Sequence, residues 1–175
     1  MFVQPDTKKF IIELNRIFGG SYIMETFEMI QSRKAVREYS GQITDEQLNN
    51  ILLAANAGSV GLAKFDEYRL TVIQKPEVLS QMNGIYDAPT VIVVSCQNNG
   101  LMEGNSAGTI VHNMELEAEN QGLGANYNMA SLGSIPAGVI PDGFKPLFAL
   151  TLGQTNETFT PREISLKKIQ TNIVK

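Results

Sequence analysis

Arg33, Lys34 and Arg37 place three cations within five residues of a chain whose formal net charge is −4. They stand in the segment Gln31-Ser32-Arg33-Lys34-Ala35-Val36-Arg37-Glu38-Tyr39. If a helix ends near Arg33 and the chain then becomes extended, Lys34 and Ala35 fall on opposite sides, and Arg33, Ala35 and Arg37 follow the alternation. A bend there converges two guanidinium forks on one phosphate, a ligand that suits arginine's planar, bidentate geometry. The same residues also read as a solvated charge run paired with Glu28 or Glu38. Taken alone, the cluster does not choose between the two.

The other reactive residue types offer less. His112 is the only histidine, and it falls in the middle of an expected helix without an evident Ser, Cys or Asp partner, so it reads as a polar surface residue. Cys96 is the only cysteine. It closes an apolar run and reads as a small core hydrophobe rather than a nucleophile. One cysteine and one histidine exclude an internal disulfide and leave no zinc set. Gly122-Leu123-Gly124 is the nearest approach to a dinucleotide fingerprint, but such a turn must follow a strand and open a helix. Here the glycines end a helix, which predicts a C-cap followed by a tight turn. There is no Walker A sequence. The sequence thus designates no catalytic side chain and no metal ligand.

The chain's 175 residues, 43% hydrophobic and 18% charged, suit one globular domain or a core with short arms. The acidic balance gives no electrostatic case for nucleic acid or an anionic membrane, so an anion site must come from local clustering. No apolar run approaches the roughly 20 residues needed to span a bilayer. Asp6, Lys8 and Lys9 precede the first apolar residues, and no signal-peptide core follows. The expected location is the cytoplasm.

The elements that would position these groups follow from periodicity. Residues 1–23 read as an appendage: Phe10, Ile11, Leu14 and Ile17 fall at helical spacing until Gly19-Gly20 stops them. They serve either as an arm around a second subunit or as a helix capping the core. A helix over 24–33 is expected to bury Met24, Phe27 and Ile30. Thr44-Asp45-Glu46-Gln47 is a capping box, opening a helix with Leu48, Ile51, Leu52 and Ala55 on one face. Tyr68 to Ile73 reads as a strand, and Pro76 to Gln81 as a short helix begun by proline. Thr90 to Cys96 is apolar without alternation, as in a strand covered on both faces. The longest helix is expected from Ser106 to Gln121, with Ala107, Ile110, Val111, Met114 and Ala118 as its buried stripe and Gly122 at its end. Leu147 to Leu152 and Ile169 to Val174 read as further strands. These elements predict a three-layer α/β or α+β sandwich, an α/β/α arrangement with helices flanking a central sheet, and of the two the α+β class is the one expected.

Several of these segments resemble the FMN-dependent nitroreductase family. Arg33-Lys34-Ala35-Val36-Arg37 before an aromatic residue is similar to its opening Arg-Arg-Ser-Ile-Arg-Lys-Phe motif. The capped helix ending in Ala54-Ala55-Asn56-Ala57 follows, then the loop Gly58-Ser59-Val60-Gly61 with the strand Tyr68 to Ile73. Next come Ala88-Pro89 before a Val/Ile strand, the helix closed by Gly-Leu-Gly, and Ala149-Leu150-Thr151-Leu152-Gly153. The resemblance spans residues 24–175 and stands in family order. It implies a nitroreductase-like FMN-binding domain over 24–175, built on a mixed central sheet and forming an intertwined homodimer with FMN at the interface.

Carried over by position, the resemblance implies that Arg33, Lys34, Ala35 and Arg37 meet the FMN phosphate and ribityl chain. Ser59, Val60 and Gly61 would pass near the flavin ring, and Asn128, Met129 and Ala130 would lie beside it. Arg162 would complete the phosphate site, with Lys167 and Lys168 as competitors. The activity implied is a ping-pong cycle in which NAD(P)H reduces the flavin and a nitro, quinone or similar acceptor reoxidises it. The chain departs from the pattern at Ala35, which stands in place of serine, and at Leu62-Ala63-Lys64-Phe65-Asp66, which replaces Asn-x-Gln-Pro-Trp. It also lacks the family's long excursion helices. Two other readings stand beside the reductase: a flavin-binding or flavin-storage protein with little turnover, and an interaction protein that keeps the fold without flavin.

Overall fold

The computed structural model describes residues 26–175, so the expected helix over 1–23 and the burial of Met24 lie outside the described residues. The short helix α1 spans Thr26–Ser32. Its most buried residue is Ser32, with Met29 half-buried, whereas Phe27 is 65% and Ile30 46% exposed. The expectation that Phe27 and Ile30 are buried is corrected. The helix meets the longest helix through the Ser32 hydroxyl, which donates to Glu119 Oε1 at 2.5 Å, and its apolar side stays on the outside of the single chain.

Helix α2, Asp45–Asn56, opens with the expected capping box: Thr44 Oγ1 accepts from Gln47 N and the Gln47 side chain accepts from Thr44 N. Ile51 and Ala55 are buried, with Leu48 and Leu52 packed beside them. Strand β1 is Tyr68–Ile73, helix α3 is Pro76–Leu79, and β2 is Thr90–Cys96, buried along its whole length. Helix α4 runs from Leu101 to Asn120, starting a turn earlier than the periodicity suggests. Leu101 and Met102 are exposed, so the first turn carries no core pattern. At its other end Gly122 has φ +71°. Leu123 N donates to Ala118 O at 2.8 Å and Gly122 N to Glu119 O at 2.9 Å, the paired bonds of a Schellman cap.

The expected tight turn after Gly122 is instead strand β3, Gly124–Asn128. Strand β4 spans Lys145–Gly153. The four strands are ordered β1-β2-β4-β3, and every neighbouring pair is antiparallel. The α+β class stands, but the expected mixed sheet is corrected to an antiparallel one among the described strands. Alternation along β2 sends Ile92 and Val94 toward α2 and α4, while Val91 and Val93 face Met82 and Ile85. This second face is covered by the four-residue α3, the 3-10 turn Leu132–Ser134 and irregular chain. Among the described residues the third layer is therefore mostly non-helical.

The expected strand Ile169–Val174 does not form. Residues 161–175 are all exposed, and Ile169, Ile173 and Val174 stand at 80%, 70% and 88% exposure. Strand-prone composition without a partner strand leaves ladder groups unpaired, and propensity alone does not make a strand. Among the described residues no helix is long and apolar enough to cross a membrane.

Candidate functional site

Helix α1 ends at Ser32, and the chain then leaves the helix as the sequence suggests. The following arm is pinned to the sheet edge. Val36 N donates to Ala125 O at 2.8 Å, Ser40 N to Gln154 O at 2.8 Å, and Gln154 N to Gly41 O at 2.8 Å. Val36 is fully buried, and a Cβ on Gly124 would lie 2.7 Å from its Cγ1. The glycine thus gives the arm its close approach to β3. With Val36 inserted, the cations on either side of it have fixed stations.

Those stations differ. Arg33 Nη1 lies 3.0 Å from Glu115 Oε1 on α4, and the Glu115 side chain is 2% exposed. The guanidinium also sits 5.9 Å from the Tyr127 ring centroid. Lys34 Nζ is 2.6 Å from Glu157 Oε2 and 5.6 Å from the Phe159 ring. Arg162 donates through Nε to Gln31 O at 2.8 Å. Arg37 is exposed and, among the described residues, forms no ion pair; its guanidinium carbon lies 5.5 Å from the Tyr86 ring. Among the described residues, neither Glu28 nor Glu38 pairs with a cation.

Around Arg33 the site is a buried polar network. Glu119, one helical turn after Glu115, is also buried. Its carboxyl is raised above the usual range by burial, opposed by the Ser32 hydroxyl and by the charges of Arg33, Arg162 and Lys34. Burial likewise raises Glu115, with Arg33 the main opposing influence. The Oε2 atoms of both carboxylates have no hydrogen-bond partner among the described residues. The Tyr127 hydroxyl lies 2.6 Å from His112 Nδ1, and its pKa is raised by burial and by Glu115. Burial and then Arg33 lower His112. His112 is exposed as expected, but it has a tyrosine partner. Cys96 is buried, as a core residue.

Asn128 is 2% exposed. Its Nδ2 donates to Gly84 O at 2.6 Å and its Oδ1 accepts from Ser131 N at 2.9 Å. Met129 and Ala130 follow on the surface, and a Cβ on Gly84 would make van der Waals contact with Ala130 at 3.5 Å. The segment Asn128–Ala130 therefore braces the chain at Gly84, two residues before the tyrosine whose ring lies 5.5 Å from the Arg37 guanidinium carbon. This unites two of the groups that the sequence suggests.

Ser59, Val60 and Gly61 are not brought to the cations within the chain. Ser59 O accepts from Thr109 Oγ1 at 2.8 Å and Gly61 N donates to Ser106 Oγ at 3.1 Å. Thr109 is six residues before Glu115, about 9 Å along the helix. This end of α4 carries a cleft of about 560 Å³, lined by Ser59, Gly104, Gly108, Thr109 and His112 among others. Lys167 and Lys168 lie in the exposed tail. Ala35, half-buried, offers no hydroxyl.

Sequence reasoning missed Glu115, Glu119, Tyr127 and Tyr86. The signal for the first two is present in the sequence, since both carboxylates continue the apolar stripe of Val111, Met114 and Ala118. Tyr86 leaves no such pattern, because a turn placed by tertiary contacts has no periodicity.

An antiparallel sheet carrying α2 and α4 on one face, with the cationic arm along its edge, is the α+β fold of the nitroreductases. A nitroreductase with bound FMN from Desulfitobacterium hafniense DCB-2 superposes with a TM-score of 0.71 at 20% identity, over 86% of this chain and 100% of that one. A second, with bound FMN, from Bacteroides fragilis NCTC 9343 gives 0.69 at 21% identity over 87% and 100%. A nitroreductase family protein from Clostridium difficile 630 gives 0.68 at 21% identity over 87% and 100%. No family model and no curated protein matches the sequence.

Proposed function

We propose that this chain is an FMN-dependent oxidoreductase that passes electrons from NAD(P)H to a nitro, quinone or similar acceptor. The observation that carries the proposal is Arg37, an exposed guanidinium without a carboxylate among the described residues, next to the Tyr86 turn that Asn128 braces, on a fold shared with FMN-bound proteins. An isolated cation held at a fixed station fits a phosphate better than a solvated charge run does. Arg37 and Arg162 are the first phosphate ligands in this reading. Arg33 and Lys34 enter it already paired with Glu115 and Glu157 and add field more than free donors. Asn128, Met129 and Ala130 flank the ring.

Ser59 to Gly61 act in the site of a second copy, in keeping with their distance from the cations in one chain. A homodimer is supported by the exposed Phe27, Ile30, Leu53, Leu62 and Met102 and by Gly104 and Gly108, whose absent side chains face open space. Bound flavin supplies the redox chemistry, and the protein binds and orients it. The cytoplasm is the proposed location.

Ala35 in the position of a hydroxyl donor favours a second reading, flavin storage with little turnover. A visible spectrum and nicotinamide titration separate the readings. Flavin absorbance in the purified protein, bleached by NADH or NADPH, supports the reductase; absorbance without bleaching supports storage. No FMN, copurified or added, refutes both. Arg37→Glu should weaken FMN far more than riboflavin, which lacks the phosphate, and equal losses would assign Arg37 to the fold instead.

A further inference from the structure

Ile85 to Ala88 form a tight turn closed by Ala88 N donating to Ile85 O at 3.1 Å. Its two central residues, Tyr86 and Asp87, have φ of +58° and +55°, as in a type I′ turn. That conformation favours Gly, Asn and Asp, and a bulky residue there is strained. Asp87 fits the rule and Tyr86 breaks it. Burial does not offset the strain, because Tyr86 remains 45% exposed.

The turn is nonetheless rigidly mounted. Ile85 is buried in the second core cluster, and Gly84 O accepts from the buried Asn128. What the strained position achieves is a contact: the Tyr86 ring 5.5 Å from the Arg37 guanidinium. Tyr39, whose hydroxyl lies 2.7 Å from Thr151 Oγ1, stands close enough that both Arg37 and Tyr86 act on its titration; burial above all pushes it up to about 12. A guanidinium held by an aromatic ring, and not by an acceptor, keeps N–H donors for an oxyanion. A carboxylate partner would occupy those donors.

We propose that Tyr86 is a positioning residue of the anion site, its ring holding the Arg37 guanidinium at a station where its N–H donors remain available to the ligand phosphate. The identity of the ligand as FMN rests on the function proposed above; the holding of Arg37 does not. Strain at a bulky residue in this turn is what a functional constraint on the ring would leave behind.

The test compares wild type, Tyr86→Asn, Tyr86→Phe, Arg37→Met and the double variant Tyr86→Asn with Arg37→Met. Binding of FMN and riboflavin is followed by fluorescence, and thermal unfolding is recorded alongside. Asparagine suits the turn, so Tyr86→Asn should unfold at the same or a higher temperature while binding FMN about three- to fivefold more weakly, the scale of one exposed cation–π contact. Riboflavin binding should change little, Tyr86→Phe should match wild type, and the Asn substitution should have no further effect once Arg37 is Met. Unchanged FMN affinity in Tyr86→Asn, or the same loss in the Arg37→Met background, overturns the proposal. The Arg37 Nε–H proton resonance of the flavin-free protein gives a readout independent of FMN. It should carry a ring-current shift in wild type and Tyr86→Phe that Tyr86→Asn abolishes. If wild type binds no FMN, the functional reading falls, and the shift still decides whether Tyr86 holds Arg37. An identical resonance in wild type and Tyr86→Asn overturns the holding itself.

Discussion

Replacing Arg33 with methionine should destabilise the protein strongly, and by an amount that grows with pH. Arg33 Nη1 lies 3.0 Å from Glu115 Oε1, with side chains 29% and 2% exposed. Removing the cation leaves Glu115 buried one helical turn from the buried Glu119. Glu119 keeps Ser32, Lys34 and Arg162 as favourable influences, but Glu115 loses its main one. Breaking a buried pair on one side costs about 3–5 kcal/mol, a large share of the roughly 5–15 kcal/mol that holds a domain folded.

The pH dependence follows from the direction of the shift. Burial holds Glu115 above its ordinary value of 4.5, so between the unfolded and folded pKa the native state binds the extra proton. The stability linked to that proton is fully present below 4.5 and is lost as pH rises through the folded pKa. Removing Arg33 moves the folded pKa higher, and over the added interval stability falls by about 1.4 kcal/mol per pH unit. His112 acts in the same sense: Arg33 helps to hold it low, so the variant loses less on acidification than wild type does. Urea unfolding of wild type and Arg33→Met between pH 5 and 8 should therefore show a deficit that is smallest at pH 5. The double variant with Glu115→Leu should recover most of the loss and flatten the profile. A deficit independent of pH, or a double variant no more stable than the single one, would refute the reasoning.

Ala35→Ser restores a hydroxyl beside the arm and should tighten FMN about two- to tenfold, the worth of one hydrogen bond; unchanged affinity in a flavin titration would place position 35 away from the phosphate. Gly124→Ala brings a Cβ to 2.7 Å from Val36 Cγ1 and 3.1 Å from Thr155 Cβ. It should cost about 1–3 kcal/mol by overpacking, measured by thermal unfolding, and a neutral result would mean that the arm is not pinned there.

What could be read in the sequence was whatever a short stretch decides for itself. Thr90 to Cys96 is so uniformly apolar that only a doubly covered strand accommodates it. Thr44 and Gln47 cap α2 with atoms three residues apart, and Gly122 supplies a left-handed residue where α4 must stop. Strand β3 was hidden because Gly124-Ala125-Asn126-Tyr127-Asn128 has little strand propensity; β4 pairs with it residue for residue, and Val36 requires the missing side chain of Gly124. Ile169 to Val174 shows the converse, with suitable composition and no partner. In both cases the decisive contact lies far away in the chain.

The cation cluster follows the same logic. Its neighbours in sequence offered Glu28 and Glu38 as partners, whereas the fold supplied Glu115, 82 residues distant. That partner was deducible in principle: two carboxylates on the apolar stripe of a helix require a counter-ion, and Arg33 begins the densest cationic run of the chain. Once Arg33 is fixed on α4 and Val36 is inserted beside β3, the station of Arg37 follows, because it is the next residue after a buried side chain. The three cations thus divide their tasks. Arg33 is the mount, Lys34 is tied to the Glu157 segment, and Arg37, without an ion pair among the described residues, is the group proposed to meet a ligand.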